Sequence, residues 1–285
     1  MAGRAKEPAC PICGFLHSEP VTRQERPYRL CPACGLMWGT YTRTSQENEE
    51  FYHTTHTEDS ISQSKRGLFE LVLKRAERSL GKAGRLLDVG CGPGAFLLAA
   101  RERGWECVGV EPVKELVDLC TGAGMEAHAG LLKDLPKNAG PFDLITWWDV
   151  IMLVDDPLEE IRNALKLLSP NGMLYLRARQ HGVVRQVNRA WEMTKSMTHW
   201  KDPSVFHPWN FTPKAMRLLG RRAGVQMQVE AGRLSAGDSY QVSESGKPVA
   251  IIKQVVDAVG TTLGRMSNQQ VILSPTMDVW CQPSA

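Results

Sequence analysis

Three glycines at alternate positions follow an acidic residue in the stretch Arg85-Leu86-Leu87-Asp88-Val89-Gly90-Cys91-Gly92-Pro93-Gly94. The apolar run before the glycines predicts a short buried strand, and the apolar pattern from Ala95 predicts a helix after them. Glycines at such a junction let the chain turn sharply and bring its backbone against a ligand. The same spacing also satisfies the dinucleotide-binding fingerprint. Asp88 distinguishes a dinucleotide site from a site for a ligand with an ammonium group, because a carboxylate suits an ammonium group better than a pyrophosphate.

Two more acids follow predicted strands. Glu111 ends the second strand of this region, and Asp149 directly follows the fourth. In a parallel sheet, ligands bind outside the carboxyl ends of the strands. We therefore expect Asp88, Glu111 and Asp149 to lie at one edge, where Glu111 is placed to accept both ribose hydroxyls of an adenosyl ligand.

Four of the eight cysteines form two copies of one turn, Cys10-Pro11-Ile12-Cys13-Gly14 and Cys31-Pro32-Ala33-Cys34-Gly35. This spacing is typical of a structural zinc site. Two such turns close a tetrahedral site of four thiolates with no open coordination position, so the Zn²⁺ is expected to be structural. Iron is the alternative, because it accepts the same geometry. The remaining cysteines are predicted to be buried thiols: Cys91, Cys107, Cys120 and Cys281.

Strands and helices alternate from residue 85 onward, which predicts an α/β fold with helices on both faces of a doubly wound, mostly parallel sheet. We expect a zinc ribbon at 1–40, a linker at 41–60 and the larger domain at 61–285. The predicted elements begin with a helix at 61–80 and strands at 85–89, 106–110, 125–128, 142–148, 172–178 and 225–229. They end with a helix at 248–263 and an antiparallel strand at 277–281.

Composition limits the classes of function. At 285 residues and 42% hydrophobic content the chain has enough apolar surface for a core, and its net charge of +3 is too small to imply a nucleic-acid partner by itself. It has no apolar run long enough to span a membrane and no signal-peptide pattern after Met1. We expect a cytoplasmic protein without membrane insertion.

Asp-x-Gly-x-Gly-x-Gly at a strand-to-helix turn resembles motif I of the class I S-adenosylmethionine (SAM) methyltransferases. The segment from Phe142 to Pro157 is similar to the fourth-strand region of the ubiquinone-biosynthesis O-methyltransferases, and Phe206 to Pro213 is similar to a later stretch of the same enzymes. The resemblance covers about residues 85 to 230. It implies a seven-stranded, Rossmann-like methyltransferase fold that binds SAM through a set of strand-end residues: Asp88, Gly90, Gly92, Gly94, Glu111, Leu131, Trp148 and Asp149.

One position departs from that family. Met152 and Leu153 stand where those enzymes often have a Glu-His pair beside the reacting methyl group. A base for a hydroxyl acceptor must then come from a cap at about 180–212, where we name His207 and His181 as catalytic candidates. His207 is expected to stay neutral because it precedes a predicted helix start.

The resemblance implies methyl transfer to a small molecule, at a hydroxyl oxygen or a carbon of a ring, sugar or lipid precursor. Two alternatives remain open. The first is an RNA methyltransferase that grips phosphates with the zinc module and with arginines set among tryptophans: Arg177, Arg179, Arg185, Arg189, Trp191, Trp200 and Trp209. The second, suggested by Met152 and Leu153, is a catalytically inert protein that binds SAM.

Overall fold

The computed structural model describes residues 8–23, 26–41, 60–182, 207–233 and 258–283, the last without 261, 265, 270 and 271. In chain order the elements are β1 (Glu19–Arg23), β2 (Arg26–Leu30), β3 (Met37–Gly39), α1 (Ser60–Leu80), β4 (Arg85–Val89), α2 (Ala95–Arg101), β5 (Glu106–Glu111), α3 (Lys114–Gly122), β6 (Glu126–Ala129), a 3-10 turn (Leu132–Asp134), β7 (Phe142–Trp148), α4 (Pro157–Leu167), β8 (Leu168–Arg179), β9 (Trp209–Asn210), α5 (Pro213–Ala223), β10 (Gln228–Ala231) and β11 (Thr276–Cys281).

The larger sheet has seven strands in the order β10-β11-β8-β7-β4-β5-β6. Its neighbours from β8 to β6 pair in parallel, and β11 pairs antiparallel with both β8 and β10. This confirms the predicted fold class and the antiparallel terminal strand. Because the parallel strands end at one edge, the residues that follow β4, β5, β6 and β7 lie side by side there.

Local sequence explains where the helices on one face begin. Asp156 caps α4 by accepting hydrogen bonds from the Leu158 and Glu159 N–H groups, and Pro157 occupies its first position. Thr212 caps α5 in the same way by accepting a hydrogen bond from the Ala215 N–H group. Both helices pack their apolar sides against one face of the sheet, whereas α1 and α2 cover the other face.

One strand begins earlier than expected. Ser169-Pro170-Asn171-Gly172, a stretch with the composition of a turn, lies inside β8, which starts at Leu168 and not at the predicted residue 172. The pairing register shifts there, since Phe142 pairs with Leu168 while Leu144 pairs with Met173. The turn residues therefore form an irregularity within the strand rather than a separate connection.

Parts of three other predictions lie outside the described residues. They are most of the linker, most of the cap and the first part of the helix predicted at 248–263. Among the segments that are described, no helix combines the length and the apolar character needed to cross a bilayer.

The smaller sheet combines three strands near the start of the chain with one strand from its later part. Its strand order is β1-β2-β3-β9, so a ribbon of the first 40 residues is completed by a strand from the later part of the chain. Leu36 is fully buried and Trp38 is 7% exposed, and both belong to the same apolar cluster as Phe211 and Met216 of the larger unit. The ribbon and the larger sheet thus share one core.

Candidate active site

Three glycines carry the chain from β4 into α2. Gly90, Gly92 and Gly94 have φ angles of 71°, 54° and 86°, a region that residues with a side chain rarely adopt. A Cβ atom on Gly90 would lie 2.5 Å from Val150 Cγ2, and one on Gly94 would lie 2.5 Å from Met125 Cε. Backbone angle and close packing both require glycine at these two positions.

Asp88 lies beside this turn and is almost completely buried, with 2% exposure. Its Oδ1 accepts a hydrogen bond of 2.7 Å from Thr146 Oγ1 on the neighbouring strand. Burial raises the pKa of Asp88 to about 8, although this hydrogen bond opposes the rise. The ligand-free carboxyl is therefore mostly protonated at neutral pH, and a cationic ligand beside it would favour the ionised form.

Glu111 ties the glycine turn to the end of β5. The Gly92 N–H donates to its Oε2 and the Val113 N–H donates to its Oε1, each at 3.1 Å. Burial raises the pKa of Glu111, and the two N–H groups act in the opposite direction. Each carboxylate oxygen has a second lone pair, so the group can still accept hydrogen bonds from a ligand.

Asp149 occupies a strained position directly after β7, with φ of 62°. Its Oδ2 accepts from Lys65 Nζ at 3.1 Å and from Arg177 Nη1 at 2.7 Å, and its N–H donates to the Arg177 carbonyl at 3.0 Å. Burial would raise the pKa of Asp149, but the charges of Arg177 and Lys65 outweigh it and lower the pKa. The carboxylate is therefore ionised and held between two cations.

Sequence reasoning missed this ion-pair role of Lys65 and Arg177. Arg177 is 1% exposed and alternates along β8 with buried apolar residues on the other face. A charged side chain at an inward position of a strand needs a buried partner of opposite charge. The position of Arg177 in β8 is therefore the sequence signal that could have indicated this ion pair. No comparable signal exists for Lys65, which reaches the site from α1.

Trp148 and Leu131, two residues predicted to bind the cofactor, also contact neighbouring residues of the chain. The Trp148 ring packs among Phe69, Phe96 and Tyr175, with centroid separations of 4.7–5.0 Å, and its Nε1 has no hydrogen-bond partner among the described residues. Leu131 follows β6 and is 39% exposed, and its N–H donates to Asp134 Oδ2. Leu131 therefore presents an apolar side chain at the same edge as Glu111.

A short segment, residues 207–212, brings the two candidate histidines into one region. His207 and His181 are 8% and 5% exposed, and the His181 N–H donates to the Phe211 carbonyl at 2.8 Å. His207 lies six residues before Pro213, with β9 between them. The helix-start argument for a neutral His207 therefore does not hold, because a helix dipole acts mainly within its first turn.

The same segment covers the position where the Glu-His pair is replaced. The Trp209 N–H donates to the Met152 carbonyl at 3.1 Å, and Trp209 Nε1 donates to the Val154 carbonyl at 2.8 Å. Met152 is 2% exposed, and Leu153 packs against the same apolar cluster. The two apolar side chains are thus part of the core beneath β9.

The four predicted ligands Cys10, Cys13, Cys31 and Cys34 come together, with all Sγ atoms within 4.8 Å of one another. The Sγ atoms of Cys10 and Cys34 are 3.7 Å apart, and those of Cys13 and Cys31 are 3.4 Å apart. A tetrahedral zinc with bonds of about 2.3 Å requires sulfur separations of about 3.8 Å. The hydrogen bond to Cys10, together with burial, raises the pKa of Cys34, so a cation is needed for all four to bind as thiolates.

Residues 61–229 match the sequence profile of a family described as a methyltransferase domain. This match spans more than half of the chain. The chain belongs to this methyltransferase family. The resemblance noted in the glycine turn and in the segment after β7 is therefore confirmed at the level of the family.

Named proteins to which the chain is similar include the ubiquinone biosynthesis O-methyltransferases of Vibrio campbellii and Xanthomonas axonopodis pv. citri. The first is 31% identical over 111 residues, covering 36% of this chain and 46% of that protein. The second is 27% identical over 164 residues, covering 53% and 66%. The chain thus spans about half the length of the first of these relatives.

Among solved structures, the plantazolicin methyltransferase BpumL in complex with a monoazolic desmethylPZN analog and SAH has a similar fold. Its TM-score is 0.54 at 14% sequence identity, over 85% of this chain and 91% of that chain. At this identity the likeness concerns the fold alone. It agrees with the seven-stranded sheet described above.

The raised pKa of Asp88 predicts how the affinity of this chain for SAM depends on pH. Because the ligand-free pKa of Asp88 is about 8 and a bound ammonium group would lower it, affinity should rise with pH up to about 8. Above that it should fall, because the α-amino group of SAM, with an ordinary pKa of about 7.7–8.0, loses its proton. The rise should be at most about tenfold per pH unit. Calorimetric titration with SAM between pH 6 and 8.5 measures it.

Asp88→Asn is the matched control for this prediction. The amide keeps the shape but cannot ionise, so the variant should bind SAM more weakly and with a flatter pH dependence. Glu111, whose pKa is also raised, is present in both proteins, so its effect on the pH dependence is common to both. Identical pH profiles for the two proteins would contradict the assignment of Asp88 to the ammonium end of SAM.

Proposed function

We propose that this chain transfers a methyl group from SAM to a small-molecule acceptor. The observation that carries the proposal is the edge formed by β4 and β5, where the glycine turn, Asp88 and Glu111 converge in a member of a methyltransferase family. SAM supplies a methyl group already activated on a sulfonium. The names of the relatives and of the SAH-bound neighbours support the same cofactor.

Different residues would bind different parts of the cofactor. Asp88 and the glycine turn would hold the methionine end, and Glu111 would accept the two ribose hydroxyls. Leu131 would pack on the adenine, and Trp148 and Asp149 would border the end that carries the methyl group. The work left to the protein is to align the acceptor with the S–CH₃ bond and to exclude water.

We favour a small acceptor over RNA because Arg177, one of the arginines that suggested phosphate binding, serves the interior. Arg177 is 1% exposed and paired with Asp149, so it presents no charge to a phosphate backbone at the surface. Arg185 and Arg189 lie outside the described residues. The relatives named for ubiquinone biosynthesis act as a guide to the acceptor class, a hydroxyl or carbon on a ring, sugar or lipid precursor.

The first test of this function concerns the cofactor. Glu111→Ala removes the acceptor of the ribose hydroxyls, so it should weaken SAM binding by about 1.5–3 kcal/mol, or roughly 10–150-fold. Calorimetry with SAM measures the change. Glu115→Ala, an exposed glutamate on α3, is the matched control and should leave affinity unaltered. Equal affinity for wild type and Glu111→Ala would mean that the ribose lies elsewhere.

The second test concerns the proton. A hydroxyl acceptor must lose its proton during attack, and a positioned side chain contributes about 10²–10⁴-fold to such a step. A screen of hydroxylated aromatic acids and sugars with methyl-labelled SAM first supplies an acceptor. His207→Ala should then lower kcat by at least about tenfold and leave SAM affinity intact.

His181→Ala is the comparison for this second test. A large loss in His181→Ala with near wild-type activity in His207→Ala would transfer the role to His181. Label transfer to no member of the screen, in a protein that binds SAM, would favour the inert alternative.

We also infer that the four-cysteine cluster holds a structural zinc. The sulfur separations fit a tetrahedral ion, and all four positions are taken by protein ligands, so the ion would stabilise the ribbon and take no part in methyl transfer. A ribbon of this size buries too little surface to be stable by itself, so the ion and the core shared with the larger sheet would both stabilise it.

Elemental analysis of the purified chain should therefore find one zinc per chain. Cys34→Ser should release the metal and, because the ribbon shares its core with the larger sheet, lower the free energy of unfolding of the whole chain by about 3 kcal/mol or more. Denaturant unfolding measures it. Cys107→Ser, a cysteine outside the cluster, should retain the zinc. Iron in the wild-type protein, or zinc retained by Cys34→Ser, would refute the assignment.

A further inference from the structure

The segment 207–212 contacts three separate parts of the chain. It pairs with β3 of the ribbon through Met37–Asn210 and Trp38–Trp209, and it bonds to the loop after β7 through Trp209. It also accepts a hydrogen bond from the backbone of His181 after β8. The segment therefore links the zinc ribbon to the edge of the sheet where the proposed reaction takes place.

The Asn210 side chain is the centre of these contacts. Its Oδ1 accepts the His207 N–H at 3.1 Å, and its Nδ2 donates to the His207 carbonyl at 2.6 Å and to the Met37 carbonyl at 3.3 Å. The opposite orientation of the amide would set its NH₂ group against the His207 N–H, so the three contacts fix the orientation. At 6% exposure the side chain has little access to water as an alternative partner.

Backbone contacts on both sides of Asn210 reinforce the link. The Gly39 N–H donates to the Pro208 carbonyl at 2.9 Å. Thr212 Oγ1 donates to the carbonyl of Cys34, one of the four predicted zinc ligands, at 2.6 Å. A zinc-bound turn would thus hold the start of α5, and β3 would hold the residues just before it.

We infer that Asn210 is a positioning residue that fixes His207 to the zinc ribbon, so that the ribbon forms a supporting wall of the acceptor site. The inference rests on the proposed catalytic role of His207. Asn210 itself contacts backbone groups of His207 and Met37 and is not placed against the cofactor. Its loss should therefore alter the placement of His207 without altering the binding of SAM.

Histidine side-chain NMR tests this directly. In long-range ¹H–¹⁵N spectra of labelled protein, the ring signals absent from His207→Ala identify His207. Asn210→Ala should shift or broaden those signals, while SAM affinity stays within about twofold of wild type and one zinc is retained per chain. Asn163→Ala, in which the lost amide oxygen accepts a hydrogen bond from Lys166 on α4, is the matched control and should leave the spectrum unchanged.

Asn210→Asp is the milder variant, in case Asn210→Ala fails to fold. It keeps an oxygen that accepts the His207 N–H but has no donor for the carbonyls of His207 and Met37. Its His207 signals should also move. Wild-type His207 signals in both folded variants would overturn the inference, whatever the outcome of the methyl-transfer screen.

Kinetics separates positioning from general loosening once an acceptor is known. Asn210→Ala should lower kcat by no more than His207→Ala does, and the double variant should be no slower than His207→Ala alone. If the two losses multiply, Asn210 acts independently of His207 and the inference fails. If wild type binds no SAM, the proposed function fails, whereas the NMR result still decides the role of Asn210.

Discussion

Three carboxylates lie at one edge of the sheet because parallel strands end on the same side. Compensating the buried Asp88 and Glu111 and the partly buried Asp149 is the constraint around which the site is built. Each acid is accommodated differently. Asp88 has a hydroxyl partner and a pKa raised by burial, Glu111 accepts two backbone N–H groups, and Asp149 is paired with two cations. Uncompensated buried charge is costly, so these arrangements determine which side chains the neighbouring elements must supply. Asp88 is the one whose compensation is incomplete, which agrees with its proposed place beside the ammonium group of SAM.

Arg177, which stabilises the charge of Asp149, also interacts with the next strand of the sheet. Arg177 faces Asp278 on the adjacent strand, where burial raises the pKa of Asp278 to about 6 in spite of the arginine. Tyr175 Oη donates to the same carboxylate at 3.1 Å. The pKa of Asp278 is higher in the folded state than in the unfolded state. Asp278 therefore contributes to the free energy of unfolding at low pH and loses that contribution as pH rises towards 6. Asp149 behaves oppositely, because its lowered pKa stabilises the fold until pH falls below the usual range of an aspartate.

Much of the fold could be predicted from the sequence because its signals are local. Strands at 85–89 and 142–148 are correct to the residue, since each is an apolar run bounded by polar or turn residues. The cofactor residues follow from their places at strand ends and stay predictions. Other features depend on contacts between distant parts of the chain. Strand β9 has two residues, too few for any periodicity, and nothing in the sequence of α1 marks Lys65 as the partner of Asp149.

Met152 and Leu153 show why the ribbon matters to the chemistry. An acid and a histidine at these positions would need polar partners or water, but here the main chain of Met152 is bonded to Trp209 and both side chains lie in the core shared with the ribbon. A polar pair could not be buried there without a cost of several kcal/mol. Met152 is 2% exposed, so docking the ribbon favours an apolar side chain over an acid at that position. The stretch from His207 to Thr212, which the ribbon holds in place, contains the proton acceptor proposed above.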